Sequence, residues 1–232
     1  MQEIKTNDGS FTYLNKEVNE FYNPLTGAID RAFKVYINQI DFSKYKEIKV
    51  LDIGFGLGYN SLCMINECLK NKIKPDISAI EKDDRIIDKI QRLYIPDYLV
   101  YSYELLLEGI GLKELKSDKI NFKLFVDDVF NVLDKLNDKF DIILLDPFSF
   151  SKNRELYGKE LLLKLKKLFN KYGFLICYNS NPVFVNNLLE NGFYVKKFNI
   201  SKREQGIMAS TFVKFELENK DIKLARAFGS YI

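Results

Sequence analysis

Lys49–Asn60 reads KVLDIGFGLGYN. An apolar run from Val50 meets Asp52, and glycines follow at alternate positions, Gly54, Gly56 and Gly58. Asn60–Ile65 (NSLCMI) then has the character of the first turns of a helix. Glycine accepts positive φ and lets a ligand lie against bare backbone. A helix N-terminus beyond it offers free N–H groups and a partial positive charge to an anionic group. Strand, glycine turn and helix in this order predict a nucleotide-binding α/β unit.

The spacing narrows the ligand. The dinucleotide fingerprint is G-x-G-x-x-G, whereas here the third glycine comes one residue early and Asp52 stands two positions before the first. That D-x-G-x-G-x-G pattern resembles motif I of the class I S-adenosylmethionine (SAM) methyltransferases. The resemblance implies that Asp52, Gly54, Gly56 and Gly58 hold SAM; a merely flexible turn is the plainer reading. Ile77–Ile80 (ISAI) ends in Glu81, 23 residues beyond Gly58. An acidic residue at the end of the second strand is placed to accept hydrogen bonds from the ribose hydroxyls. The other reading of Glu81 is a charged strand end beside Lys82 and Arg85.

A chain of 232 residues fits one large α/β domain, or a domain with an appendage. We expect an N-terminal, substrate-side extension over 1–45 and a methyltransferase domain over 46–232, with a helical insertion near 92–118. No apolar run approaches membrane-helix length, and MQEIKTNDGS has neither a secretory nor a lipidation signal, so a cytoplasmic location is expected. Histidine is absent and the 3 cysteines form no C-x-x-C pair, which removes histidine-dependent catalysis and leaves no expected metal site. Proton transfer then falls to carboxylates, tyrosines, lysines, backbone or water. The net charge of +3 permits an RNA partner without requiring one.

Along the chain, Phe11–Leu14 reads as a short strand and Ile29–Ile40 as an amphipathic helix. Asp83–Leu93 and Tyr98–Leu115 read as helices, the second loosened at its end by Gly109 and Gly111. Together they form either a lid over the substrate or a structural excursion. Asn121–Val126 is a third strand; Asp128 after it either meets the adenine amino group or caps the next helix. Phe140–Leu145 (FDIILL) is an apolar run of the kind buried in the middle of a parallel sheet and ends in Asp146, Pro147, Phe148, Ser149, Phe150, Ser151 and Lys152. Ligands of open α/β sheets sit outside the carboxyl ends of strands, so this loop is expected to face the same crevice as the glycine turn. Leu156–Tyr172 reads as a lysine-rich helix, Gly173–Tyr178 as a fifth strand and Pro182–Glu190 as a short helix. Gly192–Ile200 and Met208–Leu217 read as a late antiparallel pair. The expected fold is therefore the α/β class I SAM-dependent methyltransferase (Rossmann-like) seven-stranded sheet with helices on both faces.

Four stretches resemble one family more closely, the MnmC-type tRNA 5-methylaminomethyl-uridine methyltransferases. Phe21–Ala28 (FYNPLTGA) resembles its N-terminal tyrosine–GA segment, and Gly54–Asn60 (GFGLGYN) its G-F-G-T-G-L-N motif. Leu145–Asn153 (LDPFSFSKN) resembles its L-D-G-F-A-P-x-K-N loop, and Gly192–Glu204 (GFYVKKFNISKRE) its late G-F strand followed by K-R-E. Asn23 stands where the family usually has a histidine, and Pro147 where its loop has glycine. The family's fused form carries a flavin-dependent oxidase domain, so the expectation is the stand-alone transferase.

The resemblance implies SAM-dependent methylation of the aminomethyl group of a modified wobble uridine in tRNA, after a separate enzyme has supplied that precursor. It implies SAM contacts from Asn60, Glu81 and Asp128 beside the glycine turn. Asp146 is the candidate catalytic carboxylate, Tyr22, Phe148 and Phe150 are candidates to stack on the base, and Lys152, Lys202 and Arg203 are candidates to meet phosphate. The plainer reading of each aromatic is core packing. The rival readings are a methyltransferase or aminopropyltransferase acting on a protein or small-molecule amine, and a non-catalytic RNA-binding subunit.

Overall fold

The computed structural model describes residues 1–228, which fall into two compact units, 1–129 and 130–228. The first unit begins with an antiparallel meander of β1 (Gln2–Lys5), β2 (Phe11–Asn15) and β3 (Glu20–Phe21). The tight turn before β2 is held by Asp8. One of its carboxylate oxygens accepts from Thr6 and Ser10, and the other accepts the Asp30 N–H. Asp30 lies in α1 (Ala28–Arg31), so the turn also closes the exposed start of that helix. Gly27 precedes α1 with φ +144°, and a Cβ there would fall 2.4 Å from the Asp8 carboxylate. The helical path then continues through one wide turn at Ala32–Tyr36 and tight turns at Ile37–Gln39 and Phe42–Lys44. Ile29, Ala32, Val35, Tyr36 and Ile37 bury their side chains.

Strands β4 (Glu47–Ile53) and β5 (Lys74–Glu81) flank α2 (Tyr59–Lys70) in sequence and pair in parallel. Next come α3 (Asp84–Ile90), α4 (Val100–Leu112), β6 (Glu114–Lys116) and β7 (Asn121–Val126). The strand order in this unit is β4–β5–β7–β6, with β7 parallel to β5 and β6 antiparallel at the edge. β4 shows why the run was legible: Val50, Leu51, Asp52 and Ile53 are all at most 1% exposed. The meander is tied to α2 by Tyr59, whose hydroxyl donates to the Phe11 carbonyl and accepts the Phe11 N–H.

The second unit contains α5 (Val129–Leu133, from its second residue), β8 (Phe140–Leu145), α6 (Lys159–Lys166) and β9 (Phe169–Cys177). It continues with α7 (Pro182–Glu190), β10 (Tyr194–Asn199), β11 (Gln205–Ser210) and α8 (Asn219–Phe228). β8 and β9 are parallel, β11 runs antiparallel to β9, and β10 closes the order antiparallel to β11. Ile142, Ile143, Leu144 and Leu145 are fully buried, worth ~1.5–3 kcal/mol each in removed apolar surface. No helix among the described residues is long and apolar enough to cross a membrane.

Several boundaries differ from the sequence reading. The α/β part has eight strands, four in each unit, against the seven expected; β6 is the short antiparallel addition. The helix expected over 156–172 stops at Lys166, and Phe169–Tyr172 belongs to β9. Gly173, read as the start of a strand, lies within one. The pairing of β8 and β9 shifts between Phe140 and Ile142, and a Cβ at Gly173 would fall 2.6 Å from the Phe140 carbonyl oxygen. A glycine inside a strand commonly marks such a bulge and close approach. The last expected strand ends at Ser210 rather than 217, and α8 follows it.

Gly109 and Gly111 do not loosen α4, which runs on to Leu112. A Cβ at Gly109 would lie 2.6 Å from Phe122 Cδ1, whereas one at Gly111 meets nothing within 4 Å. Gly109 thus lets α4 lie close against β7. Gly109→Ala is expected to lower the unfolding free energy by ~1–3 kcal/mol. Gly111→Ala is expected to raise it by ~0.4–1 kcal/mol. Urea denaturation of the two variants tests the opposite signs, and equal effects would refute the packing account.

Candidate functional site

The first cluster forms where β4 and β5 end. Gly54, Gly56 and Gly58 have φ of 80°, 54° and 75°, a region that L side chains rarely adopt. The N–H groups of Gly54 and Phe55 both donate to the Ile80 carbonyl, so the turn is laid against the end of β5. A Cβ on Gly58 would come within 2.8 Å of the Phe55 ring. Asp52 is fully buried and accepts the Ser61 hydroxyl at 2.6 Å, which fastens the first turn of α2 to the end of β4. Asn60, in the same first turn, is 5% exposed.

Glu81 ends β5, and its carboxylate closes the cluster. Oε2 accepts the Gly56 N–H at 2.8 Å, and Oε1 accepts the N–H groups of Lys82 and Asp83 at 2.8 and 2.9 Å. Burial pushes the carboxyl pKa up, against the three N–H donors that pull it down. A carboxylate has about four acceptor positions, so these donors leave room for about one more, on Oε2. Glu81 can therefore meet one ribose hydroxyl without releasing backbone, rather than both. Asp128 lies past the end of β7 and forms an exposed ion pair with Lys82 at 3.2 Å.

Tyr22 belongs to this cluster. A Cβ on Gly56 would lie 3.4 Å from Tyr22 Cδ1, and the Tyr22 hydroxyl donates to Asp83 Oδ2 at 2.8 Å. Asn15 donates to the same hydroxyl. Asp83 caps α3 and is gripped by both Nε and Nη2 of Arg85, whose Nη1 reaches Glu17 in the meander. Burial raises the Asp83 carboxyl pKa, but the bonds from Arg85 and Tyr22 outweigh it and hold it below the ordinary value. Sequence reasoning missed Glu17, Asp83 and Arg85 as parts of the site. An acidic cap two residues before an arginine was the local signal; the link to Glu17 had none.

The second cluster lies at the carboxyl ends of β8 and β9. Asp146 is half-buried directly after β8. The carbonyls of the next two residues are braced: Tyr178 donates to Pro147 O at 3.1 Å and Tyr157 to Phe148 O at 2.9 Å. Phe150 packs on the Tyr157 ring with centroids 5.5 Å apart, and Lys152 is exposed in the turn that follows. Because Ile207 pairs with Cys177, the β10–β11 hairpin brings exposed Lys202 and Arg203 to the same edge of this unit. Tyr157 was not legible as a loop brace, since it acts through a backbone carbonyl.

The three N–H groups on Glu81 predict the effect of losing its charge. Glu81→Gln turns an acceptor into a donor facing other donors. It should destabilise the first unit by at least ~1.5 kcal/mol. SAM affinity should fall at least tenfold, about 1.4 kcal/mol. Denaturant unfolding and titration calorimetry measure the two, and normal affinity would remove Glu81 from the ligand site.

Residues 94–211, half of the chain, match the family model described as S-adenosyl-L-methionine-dependent methyltransferase. The crystal structure of MNMC2 from Aquifex aeolicus is similar at TM-score 0.82 and 26% identity, over 96% of this chain and 74% of that one. An uncharacterized protein of Methanocaldococcus jannaschii is 27% identical over 210 residues, which are 88% of this chain and 57% of the relative. The tRNA 5-methylaminomethyl-2-thiouridine biosynthesis bifunctional protein MnmC of Leptospira interrogans is 30% identical over 205 residues, 81% of this chain and 32% of that protein. The chain thus spans between about a third and somewhat over half of these curated relatives. Its α/β architecture, its glycine turn and the matched family model lead to one conclusion: the chain belongs to the S-adenosyl-L-methionine-dependent methyltransferases.

Proposed function

We propose that this enzyme methylates the exocyclic amine of a 5-aminomethyl-uridine at the wobble position of tRNA. The observation that carries the reading is the similarity to Aquifex aeolicus MNMC2 over 96% of the chain. The names of the Leptospira and Campylobacter relatives, which concern 5-methylaminomethyl-2-thiouridine in tRNA, support the same substrate. A cytoplasmic setting and an upstream enzyme that installs the aminomethyl group belong to this proposal.

The residues of the first cluster suit SAM. The positive-φ glycines leave bare backbone, and Glu81 keeps an acceptor position beside them. When bound, SAM supplies an electrophilic methyl group. The rest of the work is positioning, desolvation and proton removal, since a neutral amine is already nucleophilic. We assign Asp146 to accept an N–H of the substrate amine, aim its lone pair and take the proton released once nitrogen has gained the methyl. Pro147 supports this role by fixing its own φ and biasing Asp146 to an extended backbone, and the Tyr157 and Tyr178 bonds hold the loop behind it. Phe148 and Phe150 are assigned to the uracil face. Lys152, Lys202 and Arg203 are assigned to tRNA phosphates.

The direct test is incubation of the purified chain with SAM and tRNA bearing 5-aminomethyl-uridine, followed by mass spectrometry of the nucleosides. Gain of one methyl on that nucleoside is expected, and an unmodified product would refute the proposal. Asp146→Asn keeps the size and removes the charge; turnover should fall by roughly 10² or more with SAM binding retained. Near-normal turnover would remove Asp146 from catalysis.

Joint replacement of Lys152, Lys202 and Arg203 by glutamine should raise KM for tRNA and leave SAM affinity alone. The slope of log affinity against log salt should shrink by up to ~0.9 for each lost phosphate contact. An unchanged slope would assign these side chains to the protein surface alone.

A further inference from the structure

Tyr22 has two independent restraints that fit no base-stacking residue on a free surface. Its ring lies at van der Waals distance from the place where a Gly56 side chain would begin. Its hydroxyl is fixed on Asp83, the residue whose N–H Glu81 accepts. The ring therefore bridges from the glycine turn to the start of α3, across the Glu81 carboxylate. Glu81 itself is only 9% exposed.

The segment that carries Tyr22 is held from outside as well. Arg85 joins Asp83 to Glu17, the Tyr22 N–H donates to the Tyr13 carbonyl, and the Asn23 N–H donates to the Thr12 hydroxyl. The next side chain adds an observation of another kind. Asn23 Oδ1 is buried and accepts no hydrogen bond among the described residues. A buried acceptor without a donor is costly unless a bound group or water supplies one. We infer that Tyr22 is a cofactor-contacting residue: its ring forms one wall of the SAM site over Glu81, and the N-terminal meander holds that wall in place. This moves Tyr22 from the RNA side, where its sequence position suggested uracil stacking, to the cofactor side.

The inference rests on SAM as the ligand and not on the identity of the RNA. SAM calorimetry needs no tRNA, so failure of the wobble-uridine reading would leave it standing. Tyr22→Ala should weaken SAM binding at least tenfold. Tyr22→Phe keeps the ring, loses the bond to Asp83 and should bind within about threefold of the parent. Both should leave KM for tRNA within about twofold at saturating SAM. Should Tyr22→Ala fail to fold, Tyr22→Leu takes its place in the same titration. Amide exchange on the unaltered protein gives a second readout, in which SAM should slow exchange over 20–27 as well as over 54–58. Unchanged SAM affinity in the alanine or leucine variant with a raised KM for tRNA would overturn the assignment. Absence of protection over 20–27 would do the same.

Discussion

The carboxylate of Glu81 is the constraint on which the glycine turn of the first unit depends. One side chain at the end of β5 collects N–H groups from Gly56, from Lys82 and from Asp83. The glycine turn can hold positive φ at three alternate positions because its backbone is paired, Gly54 and Phe55 with Ile80 O and Gly56 with Glu81. Such conformations persist where the surroundings over-determine them. A buried carboxylate is costly in isolation, and N–H donors offset that cost here. The same residue shapes the turn and stands at the proposed ligand site, so deleting it would disturb both roles at once.

The N-terminal meander is built onto this knot. Asp8 closes the start of α1, Tyr59 ties β2 to α2, and the Arg85 guanidinium links Asp83 to Glu17. The surface pair between Arg85 and Glu17 adds little stability by itself, because exposed pairs contribute ~0–1 kcal/mol. Its consequence is geometric: it helps hold the segment after β3 that bears Tyr22 beside the glycine turn. In the second unit two tyrosines perform a comparable task by hydrogen-bonding the carbonyls after Asp146. In both clusters the candidate residues sit at strand ends and short loops that side chains from neighbouring elements hold in place. A methyl transfer that works mainly by positioning demands such support.

Much of the fold was legible from local pattern. An apolar strand, glycines at alternate positions and a helix start gave the nucleotide-binding unit, because positive φ restricts residue choice at each of those positions. The apolar run of Phe140–Leu145, interrupted only by Asp141, marked a strand buried on both faces from Ile142 to Leu145, and its Asp146 terminus followed. Four motifs in matching order carried the family, later supported by the family model over 94–211.

Other features arise from contacts between residues far apart in sequence, and no local period encodes them. Gly109 read as loosening a helix end and Gly173 as the start of a strand, yet each sits inside a regular element where Phe122 or the Phe140 carbonyl occupies the space a side chain would need. Tyr22 and Asp83 are 61 positions apart, and only packing of the meander against the end of β5 brings them together. Tyr157 braces Phe148 through a backbone carbonyl, which every residue possesses and which therefore leaves no mark in residue type. Side-chain chemistry repeated at short range can be read in one dimension. The use of a particular acceptor, such as the three bonds on Glu81, depends on which backbone arrives beside it when the chain folds.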